Sequence, residues 1–281
     1  MKDFFLSIVF RPEPLRSILA REIIKAFNLL SFQDRVAIGA LKRPQYAYCI
    51  FQAARLAEKL RYPRISIIEF GCGGGNGLVI AEKHIAEVEK LFNVKLDLYG
   101  FDLGSGLPMP VDYRDNPHYF KAGLYKMDEV ELKRKLKRTQ LVIGDIKVTC
   151  GNFFDEYSPA PVGCIFCDLD FYSSTFESLK LLDAGPSHFL PRVFMYFDDI
   201  IGDDVWLCND YTGERLAIEE YNKNHSMQKI CPDYFLLEAH RIPWFSSMIR
   251  IFHDFLHPRY NDYIADDDQI YLENRIRLRS G

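Results

Sequence analysis

Carboxylates stand at or just beyond the ends of several short apolar runs in this chain. Asp102 follows residues 95–101, Asp168 and Asp170 close the run 163–169, and Asp198 with Asp199 follows 193–197. Glu69 lies inside another run, 65–70, immediately before the cluster Gly71, Cys72, Gly73, Gly74, Gly75. A single Asp in a turn needs no chemical role, because Asp closes turns and caps helices. Acids at the ends of several separate strands are a different matter, since an open α/β sheet gathers ligands beyond its carboxyl edge. Asp168, Asp198 and Asp199, brought side by side, would repel one another and hold protons. A hard, oxygen-seeking ion such as Mg²⁺ relieves that repulsion. Helix capping or a hydrogen bond to substrate is the alternative use of the same three groups. Asp170 is the candidate proton acceptor. Asp102 is placed to accept both hydroxyl protons of a ribose.

The glycines add a second chemistry. A strand that turns into a helix through glycines exposes backbone N–H groups and lets a ligand approach the chain closely. The pattern here is E-x-G-x-G-x-G over Glu69, Gly71, Gly73 and Gly75. The dinucleotide fingerprint G-x-G-x-x-G fails at Asn76, and no G-K-[ST] follows, which excludes a P-loop.

The elements that must hold these residues follow from periodicity. Apolar spacing predicts helices over 14–30 and 45–61, the second with Pro44 before it and Pro63 after it. Residues 65–70 and 95–101 read as strands, with a helix over 77–92 between them. A helix over 127–138 opens with Asp128 and Glu131 as a capping box. Residues 141–143, 146–150, 163–169 and 193–197 read as strands. Helices are expected from Ser174 and over 213–223, with further strand-like pieces at 234–237 and 248–252. This alternation predicts an α/β fold, a doubly wound, mostly parallel sheet. Residues 1–62 are read as an N-terminal helical cap, with 37–43 as linker, and 63–281 as the main unit. Tyr46 and Tyr48 lie in the cap, where they either pack the core or close over a ligand.

The bulk numbers exclude several functions. The 281 residues carry 35 basic and 39 acidic side chains, a net charge of −4, which gives no support to nucleic-acid binding. The apolar run 4–10 is too short for a membrane span and lacks a cleavage pattern. Seven cysteines without zinc spacing read as free thiols, which suits a reducing, cytoplasmic setting. Cys164 and Cys167 are expected to be buried, and the seven histidines show no ligand spacing.

Glu69 to Gly75, with Asp102 after the second strand, resembles the class I S-adenosylmethionine-dependent methyltransferases. Three segments narrow the likeness: Y-G-F-D-L-G-S-G-L-P (99–108), C-D-L-D-F-Y-S-S-T (167–175) and F-D-D-I (197–200). Together they resemble the macrocin-type, TylF-like O-methyltransferases, over residues 65–222. That resemblance implies a Rossmann-like sheet of seven strands and Mg²⁺-dependent methyl transfer to a hydroxyl of a sugar or aromatic small molecule. It allows a homodimer. It places metal ligands at Asp168, Asp198 and Asp199, and cofactor contacts at Glu69, Gly71, Gly73, Gly75 and Asp102. Asn152 and Phe153 fall at its adenine side. Two positions depart from the pattern. Pro191-Arg192 stands where the family has a glycine pair, and Phe171 stands where catechol-type relatives carry a lysine base. Asp168 and Asp170 remain the catalytic candidates. A metal-independent methyltransferase, a nicotinamide-dependent dehydrogenase and a non-catalytic ligand-binding module are the competing functions.

Overall fold

Among the residues that the computed structural model describes, 15–238 and 244–265, seven strands form one sheet. The apolar run 4–10 and the triplet Asp266, Asp267, Asp268 lie outside them. The strands are β1 (Arg64–Phe70), β2 (Lys95–Asp102), β3 (Thr139–Ile143), β4 (Val162–Cys167), β5 (Phe189–Phe197), β6 (Gln228–Pro232) and β7 (Ile249–Asp254). Their order is β3-β2-β1-β4-β5-β7-β6. The first five run parallel, and β7 is antiparallel to both of its neighbours. The chain enters at the centre with β1, winds outward to β3, and returns to the other side with β4. Ligands of such sheets bind at that reversal point.

β4 is buried throughout and β1 from its second residue on, because both faces of each are covered. The cover comes from α1 (Leu15–Phe27), α2 (Phe32–Ala37), α3 (Pro44–Lys59), α4 (Asn76–Leu91), α5 (Glu129–Lys135), α6 (Ile146–Tyr157), α7 (Tyr172–Leu179), α8 (Gly213–Asn224) and α9 (Tyr234–Glu238). They do not contribute equally. α3 buries thirteen of its sixteen residues, and ten of these join the core cluster of the sheet. Tyr46 and Tyr48 are therefore core residues: Tyr46 stacks on Phe166 at 3.9 Å, and Tyr48 donates to Asp233 at 2.8 Å. α1 buries no residue and leaves Leu15, Leu19, Ile23 and Phe27 exposed. α2, capped by Ser31, occupies residues just ahead of the expected linker.

Two expected strands are helices. Residues 146–150 open α6, because Asp145 caps the turn by accepting from the Lys147 N–H at 2.9 Å. Cys150 and Phe153 then face the core at helical spacing, which the β-branched residues Ile146, Val148 and Thr149 obscured. Residues 234–237 belong to α9, where Asp233 accepts from the Leu236 N–H at 3.2 Å. β6, which no strand signal marked, is a half-buried edge strand with only Ile230 buried.

β3, the opposite edge strand, is held by one side chain. Glu82 of α4 accepts from the backbone N–H groups of Lys137, Arg138 and Thr139 and from the Thr139 hydroxyl, at 2.7 to 3.1 Å. Burial alone would raise its carboxyl, but these donors hold it below the usual carboxylate value. The folded value is the lower one, so this stabilisation is present at neutral pH and is lost as pH falls below about 4.5. Glu82→Gln replaces an acceptor oxygen by a donor facing donors. It is expected to cost about 1–3 kcal/mol at pH 7. Because protonation weakens the wild-type bonds, the gap should narrow at acid pH in denaturant melts. A gap that is constant with pH would contradict the assignment.

Candidate functional site

The site is built where β1 ends between β2 and β4. The Gly71 N–H donates to the Phe101 carbonyl at 2.9 Å, and the Asp168 N–H donates to the Phe70 carbonyl at 2.9 Å. Three strand ends are thus locked together. Gly71 has φ +80°, and a Cβ there would lie 1.8 Å from the Asp168 carbonyl oxygen. Both facts demand glycine. Gly75 turns the chain into α4 with φ +74°, its open side filled by Leu132.

Asp102 organises the loop that follows Gly71. Its Oδ2 accepts from the N–H groups of Cys72 (2.9 Å) and Gly73 (2.8 Å), and its Oδ1 accepts from Gly104 (2.6 Å). Glu69 lies below the loop, 2% exposed. Its Oε1 accepts from the Tyr46 hydroxyl at 2.9 Å, while its Oε2 has no partner among the described residues. Burial pushes its carboxyl up to about 7, against the Tyr46 hydrogen bond and the Arg43 charge that lower it. Gly77 leaves room for this carboxyl, since a Cβ there would meet Glu69 Oε1 at 2.0 Å and displace it.

A second group of acids stands at the ends of β4 and β5. One carboxylate oxygen from each of Asp168, Asp198 and Asp199 lies within 4.8 Å of the others. Asp168 lines a cavity and is half-buried. Burial, then Asp198, push its carboxyl well above the usual range. Asp199 is raised likewise, by burial and then by Glu214. Asp198 accepts a short hydrogen bond from the Tyr196 hydroxyl, which itself accepts from Gln45 at 3.3 Å. Asp170 sits at φ +59°, a left-handed conformation that Asp tolerates at a cost. Its N–H donates to Asp199 Oδ2 at 2.8 Å, and burial and then Asp198 bring its carboxyl to about 7. Buried Glu214 accepts from the Asp199 N–H at 2.9 Å through Oε2. Its Oε1 has no partner among the described residues, and burial holds its carboxyl well above the usual range.

Both groups open on one cavity of about 490 Å³. Glu69, Gly71, Gly73 and Asp102 line it together with Asp168, Asp170, Asp198 and Asp199. Tyr119, Phe120, Tyr125 and Trp206 form an aromatic wall, with the Tyr119 and Trp206 rings stacked at 5.3 Å. A cavity of this size takes a small organic ligand. Gly75 shapes the loop without lining the cavity.

The structure does not bring Asn152 and Phe153 to this cavity. They follow no strand. They sit within α6, where Asn152 is exposed and Phe153 is buried at 5.0 Å from the rings of Tyr99 and Phe101. The residues at the start of that helix, Gly144, Asp145 and Ile146, line the cavity in their place. Sequence reasoning also missed Arg43 and Glu214, which come from other elements without a local motif, and Tyr196, which lies two residues before Asp198 in β5. Tyr46 was singled out, but not as the partner of Glu69. Phe171 is fully buried and packs against Phe120. Cys164 and Cys167 are buried free thiols within β4.

No protein-family model matches this sequence, and no curated protein matches it. Solved structures do. The O-methyltransferase NovP is 16% identical with a TM-score of 0.51, over 75% of this chain and 79% of that one. The calicheamicin methyltransferase CalS11 is 17% identical with a TM-score of 0.47, over 75% and 85% of the two chains. An O-methyltransferase from Bacillus cereus, solved in complex with SAH, is 12% identical with a TM-score of 0.38, over 89% and 94%. The chain has the Rossmann-like methyltransferase fold, with N-terminal helices ahead of the sheet.

Gly71→Ala tests the locked strand ends. Positive φ alone costs about 1–3 kcal/mol, and the contact with the Asp168 carbonyl adds to it. The variant should unfold at lower denaturant than the wild type, whereas Gly74→Ala should not, because a Cβ at Gly74 meets nothing within 4 Å. Equal midpoints for the two variants would refute the geometry.

Proposed function

We propose that this protein is an S-adenosylmethionine-dependent O-methyltransferase acting on a hydroxyl of a small sugar-like or aromatic molecule, with Mg²⁺ as cofactor. The observation that carries this reading is the convergence of a glycine-loop ligand pocket and an acidic trio on one cavity. The fold supports methyl transfer as the reaction. The macrocin-type affiliation rests on the three sequence segments that carry it.

The donor set fits a hard divalent ion. Asp168, Asp198 and Asp199 offer carboxylate oxygens from two adjacent strands, which is the ligand type that Mg²⁺ prefers. Their crowding without enough positive charge is the cost that such an ion removes. When bound, the ion supplies a Lewis acid that lowers the pKa of a neighbouring substrate hydroxyl. The chain's own residues do the rest. The loop from Gly71 to Asn76 and Asp102 hold the donor, and the aromatic wall orients the acceptor so that its oxygen faces the sulfonium methyl. The methyl moves from sulfur to that oxygen, the C–S electron pair stays on sulfur, and the hydroxyl proton passes to Asp170 or to water. No helix among the described residues is long and apolar enough to cross a membrane. The seven free cysteines support a reducing, cytoplasmic setting.

Calorimetric titration with S-adenosylmethionine, with and without Mg²⁺, is the direct test. Binding is expected, and absence of binding in both conditions overturns the reading. Asp198→Asn separates the metal from the cofactor. It should leave S-adenosylmethionine affinity within a few-fold while lowering methyl transfer at least about 100-fold. It should also stabilise the metal-free protein, since one repelling charge is gone, and abolish the rise in Tm that Mg²⁺ gives the wild type. Full activity in chelator would instead select a metal-independent methyltransferase.

A further inference from the structure

The amino-acid end of S-adenosylmethionine carries one ammonium and one carboxylate, and a cavity that buries it must satisfy both. The acidic partner is present: the unpaired Oε2 of Glu69 lies in a side chain 2% exposed, on the cavity wall. The carboxylate is the harder half. Glycine-loop N–H groups are the usual donors to an anion at such a turn. Here those of Cys72 and Gly73 are already taken by Asp102, and that of Gly75 by the Cys72 carbonyl; the other loop residues on the cavity, Gly74 and Asn76, bring no charge.

Arg43 fills the gap. Among the residues lining the cavity it alone carries a positive charge. It occupies the N-cap position of α3, ahead of Pro44, at φ +43°, and its side chain is not spent on capping the helix. Its guanidinium carbon lies 5.1 Å from the centre of the Tyr46 ring, and Nη1 donates to the Tyr46 hydroxyl at 3.3 Å. Tyr46 in turn donates to Glu69. Arg43 makes no ion pair with any described residue, so the rest of its planar fork remains available for a bidentate contact. We propose that Arg43 binds the carboxylate of the cofactor's amino-acid end, with Glu69 taking the ammonium and Tyr46 holding the two side chains in register. This rests on the cofactor reading above. It makes Arg43 the residue that selects a ligand with an intact amino acid over one without.

The alternative for Arg43 is a counter-ion that merely offsets Glu69, Asp168 and Asp198. The two roles separate on one ligand that lacks the carboxylate alone and another that lacks the whole amino-acid end with its sulfonium charge. Titrate the full-length wild type and Arg43→Met with S-adenosylmethionine, with its decarboxylated analogue, and with 5′-methylthioadenosine, which lacks the amino acid altogether. The wild type should bind S-adenosylmethionine at least about tenfold tighter than the decarboxylated analogue, the worth of one charge-assisted contact. Arg43→Met should lose that preference and leave methylthioadenosine binding unchanged. Arg43→Lys should recover part of it, and it serves as the test variant should Arg43→Met fail to fold. Equal wild-type affinity for the first two ligands overturns the proposal, and so does a preference that survives in Arg43→Met or, where Lys is the test variant, one undiminished in Arg43→Lys. A uniform loss for all three ligands assigns Arg43 to the counter-ion role and also overturns it. A wild type that binds none of the three sinks the cofactor reading itself, a separate failure.

Discussion

The approach of β4 to the end of β1 is the constraint on which the site depends. Gly71 leaves the sheet directly against the Asp168 carbonyl, with no space for a side chain. Parallel pairing of β1 with β2 and β4 puts Glu69, Asp102 and Asp168 at the same edge. The glycine loop and the acids therefore share one cavity because three strand ends are hydrogen-bonded together. The turn at Gly71 is both a hinge of the sheet and a wall of the pocket.

The second consequence is electrostatic. The sheet edge gathers Glu69, Asp168, Asp170, Asp198, Asp199 and Glu214 within a region largely shielded from water. Desolvation penalises the charges of Glu69, Asp168, Asp170, Asp199 and Glu214, and mutual repulsion adds to it. Backbone N–H groups offset part of the cost: Asp170 donates to Asp199, and Asp199 donates to Glu214. Tyrosines offset another part, through Tyr46 on Glu69 and Tyr196 on Asp198. Arg43 is the single positive side chain in the cavity wall. The arrangement favours ligands that bring positive charge, which a sulfonium, an ammonium and a divalent cation all do.

Much of this was legible in the residues. The β1–Gly71–α4 unit reads directly from I-S-I-I-E-F-G-C-G-G-G, since strand propensity and glycine turns are local properties. Asp128 capping α5 and Pro44 opening α3 are local in the same way. The failures have a local cause too. In residues 146–150 the β-branched content outweighed the Asp145 cap, and Asn152 and Phe153 were misplaced as a result. β6 was missed because a short edge strand buries little and shows weak alternation.

What the sequence determined by itself was the element alternation and the acids at strand ends, because backbone propensity and burial period depend on near neighbours. It could not place Arg43 beside Glu69, Gln45 against Tyr196, or Glu214 under Asp199. Those pairs lie 26, 151 and 15 residues apart in the chain. Only the packing of α3 and α8 onto the sheet brings them together. The tertiary structure likewise decided that Asp102 braces the glycine loop, since its oxygens find their donors only once β1 and β2 pair.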